Sequence, residues 1–192
     1  MENRPGTRDR IVIAAASLLR RQGYVGTAVK QIAREAGATL GSVYHFFPGG
    51  KEALATAAIK HGEGEFAALL RTALDSEEQP GAAVAACARE LAENLRRTSW
   101  AEGCPITAAA LETLGTHSGI QQACVAALRT WERLVAERLL RSGFTPADAR
   151  HLATTIIGTL EGAEVASQVR RSEDPLRTAG RHLARLVDSY RA

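Results

Sequence analysis

The chain has 192 residues, enough for one fair-sized domain or a small domain fused to a larger one. It is rich in Ala, Leu, Arg and Glu, its apolar runs are too short to span a bilayer, and its first residues, MENRPGTRDR, hold no apolar signal core, so neither a membrane nor an export route is expected. The net charge of +3 hides an asymmetry: residues 1–60 carry nine Lys or Arg against four acids, the remainder fifteen Arg against seventeen acids, as expected when one end meets a polyanion.

Thr7 opens a helix with Ile11, Ala14, Ala15, Leu18 and Leu19 on one face, and Gly23 is placed to end it in the left-handed conformation. Thr27 opens a short helix carrying Ile32, Ala33 and Ala36, closed by Gly37. A second short helix is predicted over 39–46, broken by Pro48-Gly49-Gly50. A long helix runs from Lys51 to about Leu74, followed by the polar linker DSEEQPG. Further helices are predicted over 82–98 and 106–114, separated by the irregular loop SWAEGCP. Ser118 and Gln121 form a capping-box pattern before a helix with Ile120, Cys124, Leu128, Trp131, Leu134 and Val135 on one side. Thr145-Pro146 starts a helix reaching Arg170, and Asp174-Pro175 starts the last, with Leu176, Leu183, Leu186, Val187 and Tyr190 apolar.

Within the first fifty residues these elements suggest a helix-turn-helix. That motif needs a small residue in its first helix so that the two helices can close. It needs a Gly four residues later, where the turn takes positive φ, and an apolar anchor six further on. Ala33, Gly37 and Val43 meet these demands in order. The second helix would then lie in a major groove with its N-terminal residues nearest the base edges. Thr39, Leu40, Ser42, Tyr44 and His45 are expected outward, with Val43 and Phe46 inward and Phe46 and Phe47 packing the small domain against the next helix. Thr39 and Ser42 can bond bases or phosphates, and Leu40 offers only apolar contact. Tyr44 and His45 suit phosphates, as do Thr27 and Lys51 at helix starts, with Lys30 adding positive charge.

The stretch TAVKQIAREAGATLGSVYHFFPGGKEAL resembles the DNA-binding signature of the TetR family of one-component bacterial repressors, over about residues 7–60. The resemblance implies that Thr27, Thr39, Ser42, Tyr44, His45 and Lys51 sit on or near operator DNA. Leu40 stands where that family commonly has Lys, and Gly49-Gly50 where one residue is usual. The Gly-Gly form, with EGCPITAAALE over 102–112, resembles the LmrA/YxaF-like branch, which is associated with multidrug-export genes and planar aromatic effectors. The expected architecture is all-α with about nine helices: a three-helix DNA-binding domain over 1–50 and a larger effector-binding and dimerisation domain over 51–192.

Gly158, Gly162 and Ala166 recur at i, i+4, i+8, flanked by Leu152, Ile156 and Leu160. With Leu183 and Leu186 they predict a two-fold, four-helix homodimer interface. Phe66, Leu70, Leu91, Trp100, Cys104, Leu111, Leu128 and Trp131, with Cys87, are candidates to line a site for a small hydrophobic or aromatic effector, Trp100 by stacking on a flat ring. Glu112 and Glu161 can bond a ligand donor or act as caps. The three cysteines are odd in number and contain no Cys-x-x-Cys pair, which argues for a reduced cytosol. The expected function is a cytoplasmic repressor that binds palindromic double-stranded DNA as a dimer and controls an efflux or detoxification gene. The rival is a helix-turn-helix protein with a ligand-free body, controlled by a protein partner. A helical enzyme using Cys104, Glu112 and His117 is disfavoured, since no nucleophile motif, phosphate loop or metal-ligand spacing accompanies them. No cofactor or metal is expected.

Overall fold

The structure, a computed structural model, describes residues 5–116 and 118–190; His117 lies outside the described residues. Among the described residues there are nine helices and no strand. They are α1 (Thr7–Gln22), α2 (Val29–Glu35), α3 (Leu40–Phe46), α4 (Gly50–Asp75), α5 (Pro80–Arg97), α6 (Thr107–Glu112), α7 (Gly119–Arg141), α8 (Pro146–Arg170) and α9 (Asp174–Ser189). Two compact units result. One comprises the chain up to Gly64 with Pro105–Ala127, the other Glu65–Cys104 with the chain from Leu128 onward.

In the first unit α1 buries Ile11, Ala15, Leu18 and Leu19, the apolar face its spacing predicts. Gly23 ends it with φ +73° and ψ −178°. The positive φ is as expected, but the exit is extended rather than left-handed helical, a region open essentially to Gly alone. α2 starts at Val29, with Ala28 at the N-cap position and no side-chain cap, and not at Thr27. Thr27 is buried and its hydroxyl donates to the Gly23 carbonyl at 2.6 Å, which closes the α1–α2 turn.

In the second unit α5 packs along α9 and against α8, and α8 packs on α9. The α5–α9 approach is close because small residues meet there. A Cβ added at Gly180 would lie 2.8 Å from the Ala88 Cβ and 3.6 Å from the Ala85 backbone. Arg138 fastens the α4–α5 connection. Its buried guanidinium donates to the carbonyls of Leu74 (3.0 Å), Glu77 (2.8 Å) and Glu78 (2.7 Å), and to the Ser142 hydroxyl. It thereby satisfies one acceptor that α4 leaves open at its C-terminus, the Leu74 carbonyl, and two in the connection that follows.

Two glycine substitutions distinguish packed from open helix surface. Gly180→Ala is expected to lose about 1–3 kcal/mol through overpacking, partly offset by helix propensity. Gly64→Ala, where no atom lies within 4 Å of the new Cβ, is expected to gain about 0.5–1 kcal/mol. Urea denaturation of both variants checks the pair; an undiminished stability for Gly180→Ala contradicts the close α5–α9 approach.

Candidate nucleic-acid interface

α2 and α3 are joined by a turn at Gly37, φ +58°, with nothing within 4 Å of a would-be Cβ. The residue is therefore glycine for its backbone conformation and not for space. The Ala38 amide donates to the Ala33 carbonyl at 2.9 Å, and Ile32, Ala33 and Val43 are buried. The three residues read as small, turning and anchoring thus occupy those places. Thr39 caps α3: its hydroxyl accepts from the Ser42 amide at 3.1 Å and lies 3.0 Å from the Ser42 hydroxyl.

Outside that anchor, α3 presents Thr39, Leu40, Tyr44 and His45 to solvent, with Ser42 half-buried. Tyr44 is 51% exposed and Leu40 37%. Lys30 is exposed on α2. Phe46 does not turn inward as expected. It is 38% exposed, meets His45 edge-on at 5.1 Å, and lines a groove with Arg8, Val12, Ile13 and Phe47. Phe47, one residue on, is the buried aromatic, because the 100° step between neighbours leaves room for only one of the pair in the core. Arg8 lies 5.5 Å from its ring centre.

Thr27 is a second correction. With its hydroxyl donating to Gly23 and its side chain buried, it cannot donate to a phosphate. Lys51 is partly committed as well: its ammonium donates to the Val25 carbonyl at 3.3 Å and sits 4.5 Å from the centre of the Tyr24 ring. Glu112, which the sequence offered as a ligand acceptor or as a cap, takes the capping role, accepting from the backbone amides of Tyr24 (2.6 Å) and Val25 (2.9 Å). One carboxylate on α6 therefore clamps the turn that leads into α2. Glu52 accepts from the Gly119 amide at 2.9 Å, placing an anion at the start of α7. Ser118 accepts from the Gln121 amide at 3.2 Å, but Gln121 Oε1 is buried without a partner, so only half of the predicted capping box forms. Arg10 reaches across to the Ala36 carbonyl at 3.2 Å. None of these long-range contacts has a local sequence signal; only the Glu-to-amide chemistry of a cap hinted at Glu112.

The effector candidates scatter. Phe66, Leu70, Leu91, Cys104 and Trp131 are buried, and the Phe66 and Trp131 rings pack on each other at 4.3 Å. Leu111 is 65% exposed because α6 turns Ala109 and Thr113 inward, and Leu128 is also exposed, so neither lines an enclosed site. None of the eight lines the groove of about 980 Å³ between α5 and α9, whose walls include Arg89, Arg96, Glu173 and Arg177. Burial pushes the Cys87 thiol up to about 12, the behaviour of an inert core thiol. Trp100 is half-buried in a loop where Ser99 and Trp100 take φ +52° and +68°. Glu164 is buried, and that burial, with Glu161 nearby, pushes its carboxyl up to about 8. Of the dimer candidates, Gly158 and Gly162 are exposed with nothing within 4 Å of a Cβ, Ala166 is half-buried, and Val165 and Val169 are exposed beside them. Leu152, Ile156 and Leu183 are instead core residues of their unit, and Leu186 is half-buried. The reason is helical phase: 152, 156 and 160 lie on the face of α8 opposite its glycines.

Residues 11–58 match the family described as bacterial regulatory proteins, tetR family, and residues 80–182 match the C-terminal domain of LmrA/YxaF-like transcriptional regulators. YxaF of Bacillus subtilis (strain 168), an uncharacterized HTH-type transcriptional regulator, is 31% identical over 176 residues, covering 92% of each chain. LmrA of the same organism, an HTH-type transcriptional regulator, is 31% identical over 170 residues, covering 88% of this chain and 90% of its own. A regulatory protein TetR from Rhodobacter sphaeroides superposes with a TM-score of 0.83 at 25% identity, covering 93% of this chain and 97% of its own.

Two substitutions probe the positioning of α3. Thr39→Ala is expected to cost about 0.5–2 kcal/mol through loss of the cap. Glu112→Ala is expected to cost about 1 kcal/mol locally, seen as roughly fivefold faster hydrogen exchange at the Tyr24 and Val25 amides. Unchanged exchange at those two amides contradicts the clamp.

Proposed function

The chain belongs to the TetR family of helix-turn-helix transcriptional regulators, with an LmrA/YxaF-like C-terminal domain, and we propose that it is a repressor released from a palindromic operator by a small hydrophobic or aromatic effector. Its family is one of transcriptional regulators and not of enzymes. No helix among the described residues is long and apolar enough to cross a membrane.

The observation that carries the reading is α3 itself. A short helix capped by Thr39 and anchored by Val43 leaves Leu40, Tyr44 and His45 outward, with no role in the protein's own core. In this reading Thr39, Ser42, Tyr44, His45, Lys30 and Lys51 contact bases or backbone. Two copies, joined through the exposed Gly158–Gly162–Val165–Val169 face of α8 and the half-exposed face of α9, set their α3 helices about 34 Å apart. Effector favours a conformation mis-spaced for the operator. A coupling of about 1–3 kcal/mol lowers operator affinity roughly 5–150-fold. The second reading is a body that answers to a protein partner instead of a small molecule; the Phe66 and Trp131 rings, packed on each other, fill space that an effector would otherwise need.

Selection of binding sites from a random duplex pool tests the first half. Enriched sites are expected to be palindromes with half-sites about one helical turn apart, and a single asymmetric site contradicts dimeric reading. Leu40→Lys is expected to tighten binding to all sequences and to steepen its dependence on log salt concentration by about one unit. An unchanged slope contradicts the placement of Leu40 at the DNA. Loss of operator affinity at saturating aromatic effector supports the small-molecule reading; unchanged affinity across a panel of flat compounds favours the protein partner.

A further inference from the structure

The inner face of α8 carries polar groups that neither DNA binding nor pairing of chains uses. Glu164 is 1% exposed and its Oε2 has no hydrogen-bond partner. One turn further, Ser167 is fully buried and its hydroxyl also has none. Orphaned polar atoms in a core cost several kcal/mol, and a helix needing only to pack would place apolar side chains there. Such atoms call for something that completes them.

The same face receives the loop that follows α5. That loop turns back through the two positive-φ residues Ser99 and Trp100. It is tied by the Trp100 amide to the Leu95 carbonyl at 2.8 Å, and by Gln168 of α8 to the Trp100 carbonyl at 3.4 Å. Its far end delivers Cys104, buried, to α8. Glu161 and Glu164 lie at i, i+3 and so on one side of that helix. The thiol sulfur and one oxygen from each carboxylate lie within 4.8 Å of one another. We propose that Cys104, Glu161 and Glu164 form a site for a divalent metal ion of the zinc class.

One soft thiolate with two carboxylates is a donor set that zinc accepts in tetrahedral geometry. Bonds of about 2.0–2.3 Å set neighbouring donors roughly 3.3–3.7 Å apart, so rotamer-scale adjustment of three side chains closes the site. Cys104 binds as thiolate and Glu164 as carboxylate, the proton of each passing to solvent as the ion enters, and the fourth position stays open to water. The ion joins the Trp100 loop to the inner face of α8, satisfies Glu164, and leaves the outer glycine face free. Cysteine and acids are far apart in the chain, which is why no metal-ligand spacing shows in the sequence. The site stands independently of which effector or partner the regulator answers to.

The test is metal titration of reduced full-length protein without DNA. Cobalt(II) is expected to bind one equivalent per chain, with a thiolate-to-cobalt charge-transfer band in the near ultraviolet that zinc(II) abolishes. Cys104→Ser is expected to remove the band. The near-isosteric Glu164→Gln, with its fold checked by circular dichroism, is expected to weaken binding at least about tenfold. Glu137→Gln, at an exposed acid of α7, is expected to leave it unchanged. Absence of stoichiometric binding, a band that survives Cys104→Ser, or wild-type affinity in Glu164→Gln overturns the site.

Discussion

A seven-residue helix cannot hold its own shape in water, because so few residues do not repay the cost of nucleation. α3 is such a helix, and its existence and direction rest on the backbone turn before it. Gly37 supplies the positive φ, the Ala38-to-Ala33 hydrogen bond closes the turn, Thr39 satisfies an open amide, and Val43 and Phe47 seat the helix on the core. The turn is braced in its surroundings by Arg10 on the Ala36 carbonyl, and the preceding one by Glu112 on the amides of residues 24 and 25. Apart from the Thr39 cap at its exposed N-terminus, the contacts that aim α3 are thus made behind it, and the rest of its outer face is left open. That division of labour is what a rigid reader of a second molecule requires.

Much of this was legible in the sequence where the demand is local. Ala33, Gly37 and Val43 satisfy steric requirements defined within a dozen residues, and Thr145-Pro146 announces the start of α8 in the same way. Legibility failed where the deciding partner is distant in the chain. Thr27 looks like a helix start until Gly23 is seen to take its hydroxyl. Phe46 and Phe47 are equivalent apolar neighbours until the core accepts only the second. Glu112 reads equally as a ligand acceptor or a cap, because nothing near it in sequence points to the two amides it accepts from. For the effector site, an apolar residue that lines a cavity and one that fills a core have the same pattern, and the burial of Leu70, Leu91 and Trp131 is what either role produces.

α8 shows the same lesson in one element. Read by composition, its small residues and its leucines belonged together as one interface. Read by phase, they separate onto two faces. Leu152, Ile156, Leu160 and Glu164 face the interior of their own unit, while Gly158, Gly162, Val165 and Val169 face solvent. A small-residue face with no internal partner suits the close approach of a second helix. On the opposite face, Glu164 and Ser167 give stability away in a position that packing alone does not explain. One helix can therefore serve an assembly role and a binding role without the two competing for side chains.

The central claim is that the outer face of α3 lies against DNA while its inner face never leaves the protein. Photo-cross-linking of the unaltered protein to a selected operator, with 5-iodouracil in place of thymine, tests it most directly. The account predicts that mass spectrometry finds the attached nucleotide on Tyr44 or His45, in both half-sites, and not on buried Phe47. Attachment confined to residues outside α2 and α3, or to Phe47, would contradict it.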